Sequence, residues 1–129
     1  MKFLLTFVVQ EGAMDSSPEE MREALERWSA FDDEAAHAGV LIACEPLEES
    51  SASRTLRVAR EGESVLTDGP FAESKEQLGG FALLECADAE EALAWARKVP
   101  LREGSIEIRP VMDLAQFGYQ SRTLTPARA

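Results

Sequence analysis

The chain opens on a run in which Phe3, Leu5, Phe7 and Val9 share one face and Leu4 and Val8 the other. Alternation with apolar residues on both faces predicts a central strand over 2–10, covered on both sides. Residues 11–16 read as a loop. Ser17, Pro18 and Glu20 then form a helix start, with a cap, a proline at the first helical position and a capping-box carboxylate. Met21, Ala24, Leu25, Trp28, Phe31, Ala35 and Ala38 follow at spacings of three and four, one helical stripe. Gly39 is placed to stop that helix. Val40 to Cys44 reads as a second buried strand, closed by Glu45-Pro46-Leu47.

The middle of the chain is more polar. Residues 48–53 read as a loop, 54–60 as a strand, 61–63 as a turn and 64–67 as the returning strand of a small hairpin. Asp68-Gly69-Pro70 breaks the chain sharply. Phe71 to Leu78 is polar between two apolar anchors. Gly79-Gly80 leads into a buried strand over 81–86. Asp88, with Glu91 as box partner, starts a second helix whose apolar positions are Ala89, Ala92, Leu93, Ala96 and Val99. Pro100 ends it, and 105–111 is the last strand.

The predicted order is β-α-β-β-β-β-α-β. Without the middle hairpin it is β-α-β-β-α-β, the ferredoxin-like split unit. The fold class expected is α+β, with an inserted hairpin and two helices on one face of an antiparallel sheet. The other face keeps apolar side chains from several strands, and an uncovered apolar face of that extent is unusual on a monomer. A second copy covering it would give a homodimer of the dimeric α+β barrel type, sheet against sheet. Residues 1–112 form the expected domain, and 113–129 a tail in which Phe117 and Tyr119 offer docking side chains.

Composition narrows the partners. The 129 residues carry 13 basic and 24 acidic side chains, a net charge of −11. Phosphate-backbone recognition needs a dense basic surface, so nucleic acid is excluded as a partner, and an anionic membrane surface is disfavoured. Residues 17–38 alone contribute −5, the mark of a solvated acidic helix face, whereas the tail from 114 contributes +2. The apolar run at the amino terminus spans only about eight residues and lacks a small-residue cleavage site, so it reads as a strand and not as a signal peptide. No segment reaches the ~20 apolar residues of a membrane span. A cytoplasmic protein is expected. Cys44 and Cys86 sit in apolar runs and read as reduced thiols. One histidine and no cysteine pair at ligand spacing argue against a metal site, and no cofactor is expected.

The segment Thr67-Asp68-Gly69-Pro70-Phe71-Ala72-Glu73-Ser74-Lys75-Glu76-Gln77-Leu78-Gly79-Gly80-Phe81 is distinctive. It resembles the DGPF motif of the YCII-related (DGPF-domain) family of small bacterial proteins. The Ser-Pro-Glu-Glu helix start, the Ala-Gly-Val-Leu helix exit and the Ser-Ile-Glu-Ile-Arg-Pro-Val final strand are similar to the family as well. The resemblance implies a dimerising ferredoxin-like domain. It also implies a regulatory link to a sigma factor as partner, and a proposed His–Asp pair in a cleft without an established reaction. Asp68 matches the motif aspartate. The family histidine lies mid-helix, where this chain has Trp28, and His37 comes about two and a half turns later.

The candidate residues follow. Asp68 either organises the turn by accepting backbone N–H groups or faces a cleft as an acid–base group. His37, with Asp33 and Glu34 one turn before it, is a surface residue unless the fold brings Asp68 to it. Gly69, Pro70, Phe71, Glu73, Lys75 and Gln77 are the candidate ligand-binding residues around Asp68. Lys75 would neutralise carboxylates or hold an anionic ligand, and Gln77 would orient one by hydrogen bonds. Gly79-Gly80 enters a strand and not a helix, so it lacks the helix-terminus anion site; a bulge or close backbone approach explains it better. Three functions compete: a dimeric small-molecule-binding domain, an enzyme using Asp68 for proton transfer, and a protein-interaction module.

Overall fold

The computed structural model describes residues 1–11, 17–70 and 76–122. Among these residues six strands and two α-helices run in the order β1 (Lys2–Gln10), α1 (Pro18–His37), β2 (Leu41–Pro46), β3 (Arg54–Arg57), β4 (Val65–Asp68), β5 (Glu76–Glu85), α2 (Ala89–Ala96) and β6 (Ser105–Pro110). Short 3₁₀ turns lie at Ser50–Ala52 and Leu114–Phe117. The main sheet has the order β2-β5-β1-β6, with every neighbouring pair antiparallel. Among the described residues, strands β3 and β4 pair only with each other. This is the ferredoxin-like α+β arrangement, with the hairpin as a separate two-stranded sheet.

The helix boundaries follow the capping residues. The Ser17 hydroxyl accepts from Glu20 N–H at the start of α1, and the Asp88 carboxylate accepts from Glu91 N–H at the start of α2. Gly39, at φ +76°, carries the chain out of α1 in the left-handed region. Helix α2 ends at Ala96, one turn before the predicted stop.

The core lies between the helices and one face of the sheet. Phe3, Leu5 and Phe7 of β1 and Ala82 and Leu84 of β5 are buried there, with Phe31 and Ala35 of α1 and Ala92 and Ala96 of α2. Each large side chain removed from water contributes about 1.5–3 kcal/mol. A run of ring contacts crosses the layer. Phe7 meets Trp28 at 5.2 Å, Trp28 meets Phe31 at 6.5 Å, and Phe31 meets Trp95 at 6.2 Å between centroids. These edge and tilted contacts tie β1 to both helices.

Three sequence expectations change. Met21 and Leu25 belong to the predicted α1 stripe, yet both are exposed; only Phe31 and Ala35 of α1 are buried. The first turns of α1 therefore carry the helical pattern without being packed into the core. Strand β2 is an edge strand, not a buried one, because β5 takes the place beside β1. A register shift in β2 at Ile42 leaves that side chain at the surface and puts Cys44 opposite Ala82. Strand β5 begins at Glu76 and runs through Gly79-Gly80, where the predicted strand starts only at Phe81. Its register against β1 skips Gly79, the bulge position. A Cβ on Gly80 would lie 2.9 Å from the Glu45 carbonyl oxygen and 3.3 Å from the Phe7 ring, so a side chain there would have no room.

On the face away from the helices, Leu4 of β1, Phe81 and Leu83 of β5 and Ala43 of β2 lie side by side, half-buried. Among the described residues no helix is long and apolar enough to cross a membrane.

Candidate functional site

The chain after β2 is fastened at several points before it reaches the motif turn. Leu47 N–H donates to the Gly79 carbonyl at 2.9 Å and continues the β2–β5 pairing past Pro46. The Glu11 carboxylate accepts from both Ser50 N–H, at 2.7 Å, and the Ser50 hydroxyl, at 2.6 Å. Those bonds, the hydroxyl one first, hold the Glu11 carboxyl below its ordinary value of 4.5. The 3₁₀ turn at 50–52 is thereby tied to the end of the central strand.

The motif turn is held from both sides. Gly69 N–H donates to the Ser53 carbonyl at 2.7 Å, and the Thr55 hydroxyl donates to the Gly69 carbonyl at 2.7 Å. Gly69 has φ +87°, a conformation that favours glycine and turns both of its backbone groups towards the 53–55 segment. Asp68 ends β4 opposite Arg54, with a carboxylate–guanidinium separation of 3.7 Å. Its side chain is 96% exposed. It is a solvated partner of Arg54 at the mouth of the turn, and among the described residues nothing beside it excludes water.

Between these anchors lies an open cleft of about 370 Å³. Leu47, Ala52, Pro70 and Leu78 supply apolar wall, and Glu48, Glu49, Ser50, Ser53, Thr55 and Gln77 supply polar groups. The donors of this wall are largely engaged already. The Ser50 hydroxyl serves Glu11, the Ser53 hydroxyl donates to the Ser50 carbonyl at 2.5 Å, and the Thr55 hydroxyl serves Gly69. The backbone N–H groups of Leu47, Ser50, Ala52 and Ser53 are also bonded. A hydroxyl whose hydrogen is used still offers its oxygen lone pairs. Apart from the Gln77 amide, which both donates and accepts, the wall therefore presents acceptors, among them the carboxylates of Glu48 and Glu49.

Of the sequence candidates, Pro70 and Gln77 reach this cleft, and Gly69 and Asp68 frame it. Phe71, Glu73 and Lys75 lie outside the described residues. His37 sits exposed in the last turn of α1. Beyond it, the Val40 carbonyl accepts from Glu85 N–H, whereas the cleft lies at the Leu47–Gly79 end of the same strand pair. The intervening length of β5 is six residues, roughly 20 Å. The fold thus puts His37 and Asp68 at opposite ends of the sheet. Leu47, Ser53, Thr55 and the Glu11–Ser50 latch were not among the sequence candidates. They lie in or bond to a polar loop whose composition gives no periodic signal, and only long-range pairing brings them to Pro70.

The two thiols are unpaired. Burial, then the neighbouring Asp32 carboxylate, pushes Cys44 up to about 12. Burial, then the charge of Glu91, pushes Cys86 up to about 11. Both are protonated packing groups and not nucleophiles at neutral pH. Among the described residues no group of three or more metal-ligating side chains is present.

Fold and motif together define a ferredoxin-like α+β domain whose Asp-Gly-Pro turn borders a cleft. The YCII-related domain model matches residues 1–115, and the chain belongs to the YCII-related family. An uncharacterized protein of Rhizobium meliloti (strain 1021) is 41% identical to it over 98 residues, which cover 74% of this chain and 78% of that protein.

Proposed function

We propose that this protein is a homodimeric binding domain that takes a small ligand in the cleft beside the Asp68–Pro70 turn. One observation carries the reading: four tethers, Leu47 to Gly79, Ser50 to Glu11, Ser53 to Gly69 and Thr55 to Gly69, hold the cleft wall in place. A wall held in this way needs little reordering when a ligand enters. With its hydroxyl hydrogens already engaged and two glutamates at its rim, the wall favours a ligand that donates hydrogen bonds. Asp68, in open solvent beside Arg54, suits the organisation of the turn better than proton transfer inside a closed site.

The dimer is supported by the apolar row Leu4, Phe81 and Leu83, bordered by charges of both signs at Lys2, Glu45, Glu107 and Arg109. A two-fold axis would lay such a row on itself and let opposite charges meet at the rim. The sigma-factor link rests on the family resemblance alone, and co-purification from the native cell tests it.

A thermal-shift screen against a metabolite set tests the binding reading, with wild type compared to Gln77→Ala and Leu47→Asp. A ligand whose shift disappears in both variants supports it. A screen without any stabilising compound, or a ligand indifferent to both changes, overturns it. A substrate whose turnover vanishes in Asp68→Asn, with folding intact, would establish the enzyme reading instead.

A further inference from the structure

A second concavity, of about 380 Å³, lies at the other edge of the sheet, between α2 and β6. Its existence follows from helix length. Helix α2 has 8 residues against 20 in α1, so the helix layer over β6 is incomplete. Leu93 of α2, Leu101 of the connecting loop, and Ile106 and Ile108 of β6 line it, all half-buried. The loop is drawn tightly against the sheet at Gly104. That residue has φ +130°, and a Cβ there would run into the Val8 carbonyl oxygen.

The mouth of this groove reverses the charge of the protein. Arg97 and Arg102 stand there, exposed, against the single carboxylate of Glu103. In this chain of 24 acids and 13 bases, several cations find carboxylates: Arg22 pairs with Glu26, Arg54 with Asp68, Lys98 with Glu34 and Arg109 with Glu107. Arg97 and Arg102 have no carboxylate partner among the described residues. Two unneutralised guanidiniums at one mouth favour an anion, which gains charge-assisted hydrogen bonds from them. The same concavity is lined by the aliphatic side chains of Leu93, Leu101, Ile106 and Ile108.

We propose that this groove binds an anionic amphiphile, a single acidic headgroup on an apolar chain, with the headgroup at Arg97 and Arg102 and the chain along Leu93, Leu101, Ile106 and Ile108. The volume lies near the lower end of small-ligand sites, which suits one medium-length chain. The site is separate from the cleft at Pro70 and stands or falls independently of it.

Isothermal titration with hexanoate, octanoate and decanoate, each below its micelle concentration, tests the proposal. Affinity is expected to rise about threefold to fourfold per added methylene. Decyltrimethylammonium is expected not to bind. Arg97→Gln/Arg102→Gln should weaken decanoate at least tenfold with an unchanged melting temperature, because both side chains are exposed. Methyl NMR shifts should concentrate at Ile106 and Ile108. Absence of decanoate binding, equal binding of the cationic amphiphile, an unaffected double variant, or shifts centred elsewhere would each overturn it. Binding only to phosphatidylglycerol vesicles, with none to free decanoate, would also overturn it in favour of a surface effect.

Discussion

Glu11 accepts two hydrogen bonds from Ser50, one from its backbone N–H and one from its hydroxyl, across 39 residues of chain. This pair joins the end of the central strand to the turn that walls the cleft. It is also where the stability of the site depends on pH. The Glu11 carboxyl is depressed below 4.5 in the folded state, so its contribution is fully present above that value. It is lost as pH falls through the lower folded value. We expect Glu11→Gln to lower the melting temperature at pH 7, with the gap to wild type closing below pH 4. Scanning calorimetry at a series of pH values checks this, and a gap that stays constant down to pH 3 would contradict it.

The glycines should separate by mechanism. Gly104→Ala puts a methyl against the Val8 carbonyl in addition to a positive φ, and should cost roughly 3–5 kcal/mol. Gly69→Ala meets no described residue within 4 Å and so only the conformational penalty, roughly 1–2 kcal/mol. Urea denaturation of both variants measures the difference. Equal losses would show that the approach to Val8 is relieved by a small loop shift.

Removing the ring at the centre of the aromatic run should be costly. Phe31 is 4% exposed and touches both tryptophans. Phe31→Ala is expected to lose about 3–5 kcal/mol and to alter tryptophan emission in the native state. A loss under about 1 kcal/mol would mean that the helices repack without it.

The open sheet face gives a test of assembly. Leu83→Glu introduces a charge beside Phe81 and Leu4 without touching the helix-side core. Light scattering should show wild type at twice the chain mass and the variant at the chain mass, with unchanged circular dichroism. A monomeric wild type at low micromolar concentration removes the dimer.

Thiol chemistry should be slow. With Cys44 near 12 and Cys86 near 11, fewer than about one thiol in a thousand is ionised at pH 7.4. Iodoacetamide should label neither within minutes under native conditions and both in denaturant. Because the folded values lie above the ordinary 9.0, the stability linked to these thiols is complete below that pH. It falls away as pH rises towards 11–12. Rapid native labelling of Cys44 would show that burial does not protect it.

Much of this architecture is a local matter. Ser17-Pro18 and Asp88 start helices because capping involves residues three positions apart. Phe3, Leu5 and Phe7 alternate into the core because a strand exposes its faces with period two. The order of elements and the motif around Asp68 were legible on the same basis, and with them the family. Other features were decided by long-range pairing. β5 displaced β2 to the edge, so a run that reads as buried is half in solvent. Met21 and Leu25 keep a helical spacing that cannot say where the sheet beneath them ends. His37 and Asp68 were separated by the length of β5, which no spacing in the chain measures. The cleft itself joins residues 47–55 with 70 and 77–78, and the Arg97–Arg102 groove exists because α2 is short against β6. Periodicity reports which face of an element is apolar; only the packed chain decides what that face meets.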